Sequence, residues 1–158
     1  MKILMVCLGN ICRSPIAEGV LRVHALDADL PLTVDSCGFE RYHLGDAPDK
    51  RAINVCKSHG VDISGLRQRL FKTEDFDRFD RIYVMDANNF NDVKRMARTP
   101  EDMKKVEFLM NVLHPNENKP VPDPYYGDSF DFENAFQLID LACRAIVKSL
   151  IVRQTSSK

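Results

Sequence analysis

Short apolar runs alternate along the chain with longer segments in which apolar residues recur every three or four positions. The runs comprise residues 3–6, 32–34, 82–85 and 106–109. Runs of this length, bounded by polar or turn-forming residues, are typical of parallel strands that are covered on both faces. The pattern therefore predicts four buried strands.

Helices are predicted between and after these strands. Ser14 and Pro15 suit the N-cap and first position of a helix that runs to about Leu26. Pro48 can begin a second helix that ends at Gly60, and a third is predicted over residues 87–97. The clearest helix is the last, because one face collects Phe132, Phe136, Ile139, Cys143, Ile146 and Leu150.

Strands that alternate with helices indicate an α/β fold with a parallel sheet and right-handed connections. The 158 residues suit a single domain, and the chain shows no repeat, low-complexity tract or interdomain linker. We therefore predict one domain over residues 1–158, with the last few residues disordered. Residues 114–128 form the one long proline-rich loop, and long loops inside compact domains are usually functional.

Charge and composition exclude several classes of protein. The net charge of −1, from 22 basic and 23 acidic residues, does not favour a nucleic-acid or membrane-surface binder. No stretch is apolar for long enough to span a membrane, and the first apolar run is too short for a signal peptide. Five cysteines, an odd number, argue against a disulfide framework and for a reducing, cytoplasmic location.

The segment after the first predicted strand, residues 7–14, has the composition of a phosphate-binding loop. In an open parallel sheet, ligands bind beyond the carboxyl ends of the strands. Successive backbone N–H groups and the following helix N-terminus create an anion site there. Gly9 and Asn10 tolerate the backbone conformations that such a loop needs, and Arg13 offers paired donors for two oxygens of a tetrahedral anion.

Cys7 adds a nucleophile to this loop. A helix N-terminus beside a cation favours the thiolate form of a cysteine, and the same positive field stabilises a transferring phosphoryl group. On the Cys-x5-Arg pattern alone, a purely structural turn stays an open alternative. Zinc is disfavoured because no second Cys or His cluster has ligand spacing, and a Walker-type loop is excluded because no Gly-Lys-Ser/Thr follows.

The whole segment from Cys7 to Glu18, CLGNICRSPIAE, closely resembles the signature loop of the low-molecular-weight protein tyrosine phosphatases. A second block that begins at Asp123, DPYYGD, is similar to the general-acid loop of that family. Two further similar segments are MDANN, from Met85, and DSCGFERYHLGDAPDKRA, from Asp35. The resemblance covers nearly the full length of the chain in the expected order.

This resemblance implies both a fold and an activity. The implied fold is flavodoxin-like, with three layers, a four-stranded parallel sheet in the order 2-1-3-4 and helices on both faces. The implied activity is hydrolysis of phosphotyrosine through a cysteinyl-phosphate intermediate, without a metal or organic cofactor. The implied partners are phosphotyrosine-containing proteins, with inorganic phosphate as the product, and no nucleic acid or membrane.

The resemblance also implies roles for individual residues. Cys7 would attack phosphorus, and Arg13 would hold the phosphate oxygens together with the backbone amides of residues 8–13. Asp123 would protonate the leaving phenolate and then activate the water that hydrolyses the intermediate. The remaining residues expected to surround the phosphate are Leu8, Gly9, Asn10, Ile11, Cys12 and Ser14.

A supporting set of residues matches the family less completely. Ser14 resembles the hydroxyl that stabilises the thiolate, and Asn10 and Ser36 resemble a pair that fixes the loop by hydrogen bonding. A family histidine usually joins that pair, but here the corresponding stretch, SGLR, presents Leu66 and leaves the third hydrogen bond open. Asp86 has two alternative roles, to orient the arginine or to cap the next helix.

Tyr42, Tyr125 and Tyr126 are expected to form the walls of the cavity entrance, where an aromatic ring can stack. The resemblance implies that Tyr125 and Tyr126 can be phosphorylated, and that Cys7 and Cys12 can form a protective reversible disulfide. A weak homodimer that docks through the tyrosines is a further expectation.

Three alternative functions stay open. An arsenate reductase can share this loop but needs additional resolving cysteines, and the segment after Met85 offers none. A phosphoarginine phosphatase typically has threonine where this chain has Ile11, which is bulkier and lacks a hydroxyl. A phosphate-binding module without catalytic activity is the third, since flavodoxin-like folds also serve as binding modules.

Overall fold

The computed structural model describes all 158 residues and contains one four-stranded parallel sheet. Numbered along the chain, the strands lie in the order 2-1-3-4 across the sheet, which confirms the predicted α/β class and topology. The strands are β1 (Lys2–Val6), β2 (Thr33–Cys37), β3 (Arg81–Val84) and β4 (Val106–Phe108). The central strand β1 pairs with both β2 and β3, so the segment that follows it leaves from the middle of the sheet.

Six α-helices surround the sheet. They are α1 (Arg13–Asp27), α2 (Lys50–Ser58), α3 (Asp75–Arg78), α4 (Ala87–Met96), α5 (Pro100–Met103) and α6 (Ser129–Ser156). A single 3₁₀ turn, Leu109–Val112, follows β4. The sequence did not predict α3, α5 or the 3₁₀ turn, because elements of four residues are too short to show a periodic pattern.

Alternate side chains of β1 enter two separate cores. Ile3 and Met5 pack with α1, α2 and α6 on one face, whereas Leu4 and Val6 pack with α3 and α4 on the other. This alternation follows from the two-residue period of a strand. It confirms that helices cover both faces of the sheet, which gives the three-layer arrangement.

Two helices begin at a different residue from the one that the sequence predicted. Ser14 lies inside the first turn of α1, and Cys12 is the N-cap, because the Ser14 hydroxyl is used by the preceding loop. Helix α2 begins two residues after Pro48, because the side chain of Asp49 accepts a hydrogen bond from the backbone N–H of Arg51. Gly60 has a φ of 78° just after α2, as a helix-ending glycine requires.

Strand β2 extends to Cys37, three residues beyond the predicted run. The predicted run ended early because Asp35 and Ser36 are polar. Their backbone nevertheless pairs with β1 in register, as far as Val6 opposite Cys37. Pairing with a neighbouring strand therefore outweighs the local apolar pattern.

Helix α6 is longer than the sequence predicted. It starts with a capping box between Asp128 and Asp131 and continues for 28 residues. Its last turn includes Thr155 and Ser156, whose hydroxyls donate to backbone carbonyls one turn earlier, while disorder of the last few residues stays a prediction. None of the helices combines the length and the apolar character that crossing a membrane demands.

Candidate active site

The loop between β1 and α1, residues 7–12, bends tightly at Asn10, which has a φ of 53°. Asparagine is one of the few residues other than glycine that tolerate this left-handed conformation. Gly9 was expected to relieve steric limits here, but an added Cβ at Gly9 would meet its neighbours at no less than 3.4 Å. The sterically required glycine is Gly38, where a Cβ would lie 2.6 Å from the carbonyl oxygen of Leu8. No local pattern predicts this role of Gly38, because the close approach joins two segments that are distant in the chain.

The predicted support of Cys7 is present in the geometry. The Cys7 Sγ lies 3.0 Å from the Ser14 Oγ. Asn10 Nδ2 donates to both the Ser14 Oγ, at 2.8 Å, and the Ser36 Oγ, at 2.9 Å. Because Asn10 supplies a proton to Ser14, the hydroxyl proton of Ser14 is available to the sulfur.

A buried carboxylate completes this network. The Ser36 Oγ donates to Glu18 Oε2 at 2.5 Å, and Arg22 Nη2 lies 2.5 Å from Glu18 Oε1. Burial raises the pKa of Glu18, although Ser36 and Arg22 oppose the shift. The sequence reasoning did not assign a role to Glu18, although an available signal was its position four residues before Arg22 on one helix face.

Leu66, which the resemblance places at the position of a family histidine, is half-buried against the larger core. The hydrogen bonds that fix the loop come from elsewhere: the backbone N–H of Arg69 donates to Asn10 Oδ1 at 3.1 Å. Arg69 is itself held by ion pairs with Asp35 and the buried Asp75. The loop is therefore fixed without an imidazole.

The Arg13 guanidinium is 3% exposed and sits between two acidic side chains. Its Nη1 donates to Asp86 Oδ2 at 2.7 Å and to the carbonyl of Val121 at 2.8 Å, and its Nη2 lies 3.6 Å from Asp123 Oδ2. Burial disfavours the charged form, but the pKa of Arg13 is raised, because Cys7, Asp123 and Asp86 together outweigh burial. The arginine thus keeps its positive charge at the base of the site.

Asp86 fills both of the alternative roles that the sequence left open. Its Oδ2 accepts the hydrogen bond from Arg13, while its Oδ1 accepts from the backbone N–H of Asn89 as the N-cap of α4. One carboxylate therefore orients the arginine and ties it to the end of β3.

Asp123 also uses its two oxygens differently. Its Oδ1 accepts from the backbone N–H of Tyr125 at 3.1 Å, whereas its Oδ2 faces Arg13. The side chain is 44% exposed, so water and substrate can reach it. The start of this loop is fixed where the backbone N–H of Val121 donates to the carbonyl of Met85 at 2.8 Å.

These side chains surround one cavity of about 160 Å³ at the carboxyl end of β1. The residues that line it are Cys7, Leu8, Gly9, Ile11, Cys12, Arg13, Glu40, Tyr42, His43, Asp123, Tyr125 and Tyr126. The cavity thus contains the predicted nucleophile, arginine, acid and wall tyrosines. The sequence analysis did not single out Glu40 and His43, which line the entrance.

Two residues expected to surround the phosphate do not line the cavity. Asn10 and Ser14 are buried, and their side chains point into the hydrogen-bond network behind the loop. Ser36 lies in the same network. These three side chains therefore hold the loop rather than contact a ligand in the cavity.

All five cysteines are free and buried. Burial raises the pKa of Cys56 to about 12 and also raises the pKa of Cys12, Cys37 and Cys143. These four thiols therefore stay protonated at neutral pH. Nowhere do three or more His, Cys, Asp or Glu side chains converge in the way that a metal site requires.

Comparison with known proteins adds a family relationship to this geometry. A family model described as low molecular weight phosphotyrosine protein phosphatase matches residues 2–156. The protein with that name from Schizosaccharomyces pombe is 40% identical over 146 residues, which cover 89% of this chain and 92% of that protein.

Solved structures agree with the predicted fold. A protein tyrosine phosphatase from Entamoeba histolytica, with Hepes in its active site, has a TM-score of 0.90 and 32% identity, covering 98% of this chain and 99% of that one. A Drosophila arginine phosphatase has a TM-score of 0.88 and 30% identity, covering 95% and 98% of the two chains.

Proposed function

The chain belongs to the low molecular weight phosphotyrosine protein phosphatase family, and we propose which of its residues carry out the hydrolysis of a phosphotyrosine monoester. The observation that supports the assignment is that Cys7, Arg13 and Asp123 line the same cavity at the carboxyl end of β1. A nucleophile, an oxyanion-binding cation and a proton donor are the groups that this hydrolysis needs.

In the first step, the Cys7 thiolate attacks phosphorus, and a sulfur–phosphorus bond forms as the bond to the phenolic oxygen breaks. Asp123 donates its proton to the leaving phenolate, so the tyrosine leaves as a neutral phenol. Its Oδ2 and the Cys7 sulfur face the same cavity, and the exposed position of Asp123 lets a leaving group approach it. Such a proton transfer is typically worth 10²–10⁴-fold in rate.

The phosphoryl oxygens are held by fixed positive groups. Arg13 is buried and oriented by Asp86 and the Val121 carbonyl, so its donors need no reorganisation when a phosphate arrives. The backbone N–H groups of the loop and the N-terminus of α1 add to the same field. Ser14 stabilises the sulfur anion that departs in the second step.

In the second step, Asp123, now a carboxylate, takes a proton from water. The resulting hydroxide attacks phosphorus, the sulfur–phosphorus bond breaks, and inorganic phosphate and the Cys7 thiolate are released. The same oxygen therefore serves first as acid and then as base, which requires Asp123 to stay near the cavity after the phenol has left.

Phosphoproteins are the substrates of this family, and the cavity favours phosphotyrosine among them. Tyr42, Tyr125 and Tyr126 surround its entrance and offer surfaces on which a phenyl ring can stack. Phosphoarginine is a second candidate because an arginine phosphatase is among the similar structures. Ile11, however, places an apolar side chain against the cavity, where it has no hydroxyl for a guanidinium.

Hydrolysis of 4-nitrophenyl phosphate, phosphotyrosyl peptides and phosphoarginine by the wild type and by Cys7→Ser tests this proposal. We expect chelator-resistant activity on the first two substrates and a loss of more than about 10⁴-fold in Cys7→Ser, because a hydroxyl replaces the nucleophile. Undiminished activity in Cys7→Ser would contradict the mechanism. A preference for phosphoarginine would overturn the substrate assignment but not the nucleophile.

We propose as well that Cys7 and Cys12 respond to oxidants. Peroxide would oxidise the Cys7 thiolate to a sulfenic acid, and the Cys12 thiolate would then displace hydroxide to form a disulfide. Burial raises the pKa of Cys12, so we expect the disulfide to form faster as pH rises. Mass spectrometry after mild peroxide would detect the linked peptide, whereas recovery of only sulfinic Cys7 would refute it.

The entrance tyrosines suggest two further proposals. Tyr126 is 94% exposed and its ring lies edge-on to that of Tyr125, so a kinase can reach it. If treatment with tyrosine kinases modifies neither Tyr125 nor Tyr126, the proposal that these tyrosines are phosphorylated is wrong. Gel filtration over a range of concentrations would test a weak homodimer that docks through the same exposed rings.

A further inference from the structure

Arg51, near the start of α2, connects the two loops that face the cavity although it does not line the cavity itself. Its Nε and Nη2 donate to the two oxygens of Asp49, both at 3.0 Å. Its Nη1 donates to the carbonyl of Gly127 at 3.4 Å, at the end of the segment that carries Asp123. The guanidinium therefore spans from α2 to the loop of the proposed acid.

The same guanidinium packs on two aromatic rings. Its central carbon lies 4.6 Å from the ring centre of Phe132, in the first turn of α6, and 5.6 Å from that of Tyr125. Both distances are within the range of a cation–π contact. Arg51 is thus held on one side by α6 and supports Tyr125 on the other.

The Asp123 loop has few other restraints in this region. Over residues 124–127, the bond from Arg51 to Gly127 is the only hydrogen bond to another part of the chain. The remaining bonds are local: Gly127 to the carbonyl of Pro124, and Tyr125 to the carboxylate of Asp123. Loss of the Arg51 contacts would therefore let Tyr125 and the Asp123 carboxylate move together.

The other end of this connection reaches the phosphate loop. The backbone N–H of Asp49 donates to the carbonyl of Ile11 at 2.8 Å. Asp49 also caps α2 through the backbone N–H of Arg51, a bond that does not involve the guanidinium. A side-chain change at Arg51 thus leaves the cap of α2 in place and removes only the link between the loops.

We propose that Arg51 is a positioning residue that sets the distance between the phosphate loop and the Asp123 carboxylate. This inference rests on the proposed role of Asp123 as general acid. Proton donation demands hydrogen-bond reach of the leaving oxygen, and a displacement of about 1 Å can cost as much as 10²-fold in rate. Arg51 acts through this geometry and does not contact the substrate.

The dependence of kcat/KM on the leaving group tests the proposal, because kcat/KM includes every step up to departure of the phenol. Phenolate is a poor leaving group that needs a proton, whereas 4-nitrophenolate leaves easily without one. For Arg51→Met we expect roughly a tenfold loss on phenyl phosphate and less than about threefold on 4-nitrophenyl phosphate. Arg51→Lys, which keeps the charge but not the paired donors, should fall between the wild type and Arg51→Met.

The control variant is Arg144→Met, which removes an exposed arginine paired with Asp140 on α6 and should leave both substrates unaffected. Thermal unfolding of each variant checks that it is folded. If Arg51→Met does not fold, the comparison of the two substrates is made with Arg51→Lys instead. Equal losses on the two substrates, or no loss, would overturn the positioning role.

Asp123→Asn separates this inference from the proposal beneath it. We expect Asp123→Asn to show a strong leaving-group dependence, and Arg51→Met to add no further dependence in the double variant. If Asp123→Asn shows no leaving-group dependence beyond that of the wild type, the role of Asp123 as acid fails. If Asp123→Asn shows it and Arg51→Met does not, only the role of Arg51 fails.

Discussion

The two sides of the cavity are built in opposite ways. The side chains of Asn10, Arg13 and Ser14 are almost fully buried and are held by bonds from β2, the N-cap of α4 and the segment before α3. On the facing side, Asp123 is 44% exposed and Tyr126 is 94% exposed. One side is therefore rigid, and the other is open to solvent.

This difference matches the demands on each side. Stabilisation of a phosphoryl group in the transition state depends on donors that are already in place, which burial and a closed hydrogen-bond network provide. The facing loop must admit a protein side chain, donate a proton, and release a phenol, so it lies at the surface. We expect substitutions on the rigid side and at Asp123 to change the rate of chemistry, and those of the entrance tyrosines to change the choice of substrate.

Arg13→Lys should give the largest effect among the side chains that bind or support the phosphate. Lysine keeps the charge but cannot reach Asp86, the Val121 carbonyl and two phosphate oxygens together. We expect kcat to fall by about 10²–10³-fold, as it does when one fixed donor to a developing oxyanion is removed. Steady-state kinetics with 4-nitrophenyl phosphate measures this, and a fall confined to the affinity for substrate would contradict the role in the transition state.

Sequence patterns predicted the parts of the molecule that depend on local chemistry. The apolar runs located all four strands, and the segment from Cys7 to Ser14, together with Asp123, indicated the groups that converge on the cavity. Each of these signals lies within a few consecutive residues. Local periodicity predicts the strands and local composition indicates a phosphate-binding loop, whereas the role of Asp123 was implied by the family resemblance.

The supporting contacts could not be predicted in this way, because each joins segments far apart in the chain. Glu18 meets Ser36 across 18 positions, and Arg51 meets Gly127 across 76. Gly38 matters only because β2 brings it against the Leu8 carbonyl. Ser14 fits the local pattern of a helix cap, but its hydroxyl lies 3.0 Å from the Cys7 sulfur, a contact that only the family resemblance implied.

Ser36→Ala tests whether the rigid side depends on its hidden network. The change removes an acceptor from Asn10 and the donor to Glu18, both of which are buried. We expect the free energy of unfolding to fall by about 1–3 kcal/mol in urea denaturation, the usual cost of an unsatisfied buried polar group, with roughly tenfold lower activity. Ser58→Ala is the matched control, since its hydroxyl bonds only to the Val55 carbonyl at the end of α2. If Ser36→Ala and Ser58→Ala lower stability and activity equally, the hydrogen bonds of Ser36 have no special role in the site.

Tyr42→Ala tests the open side. Tyr42 is 89% exposed and its ring lies edge-on to His43 at the entrance. Because stacking of a phenyl ring is worth about 0.5–1.5 kcal/mol, we expect kcat/KM for phosphotyrosyl peptides to fall by up to about tenfold. The inhibition constant of inorganic phosphate should not change, since phosphate occupies only the loop side. Weaker phosphate inhibition would show instead that the substitution disturbs the loop.

The smallest effect concerns the pH dependence of stability and distinguishes the buried Glu18 from an exposed carboxylate. Burial raises the pKa of Glu18, so the folded protein holds this proton more tightly than the unfolded chain does. Stability from this group is therefore lost as pH rises from the ordinary glutamate pKa through the raised value.

Glu18→Gln removes this titration, so the unfolding free energy of the variant should rise relative to the wild type as pH rises from the ordinary glutamate pKa through the raised value. For Glu133→Gln the unfolding free energy should instead fall relative to the wild type as pH rises towards the ordinary glutamate pKa, and the difference should stay constant above that pKa. Hydrogen bonds, first from Gln137 and then from His59, lower the pKa of Glu133, which therefore stabilises the wild type above the ordinary pKa. Urea denaturation at a series of pH values from below the ordinary glutamate pKa to above neutrality measures both differences. If the difference in unfolding free energy between Glu18→Gln and the wild type is constant or falls as pH rises, burial does not disfavour the charged form of Glu18 beneath the phosphate loop.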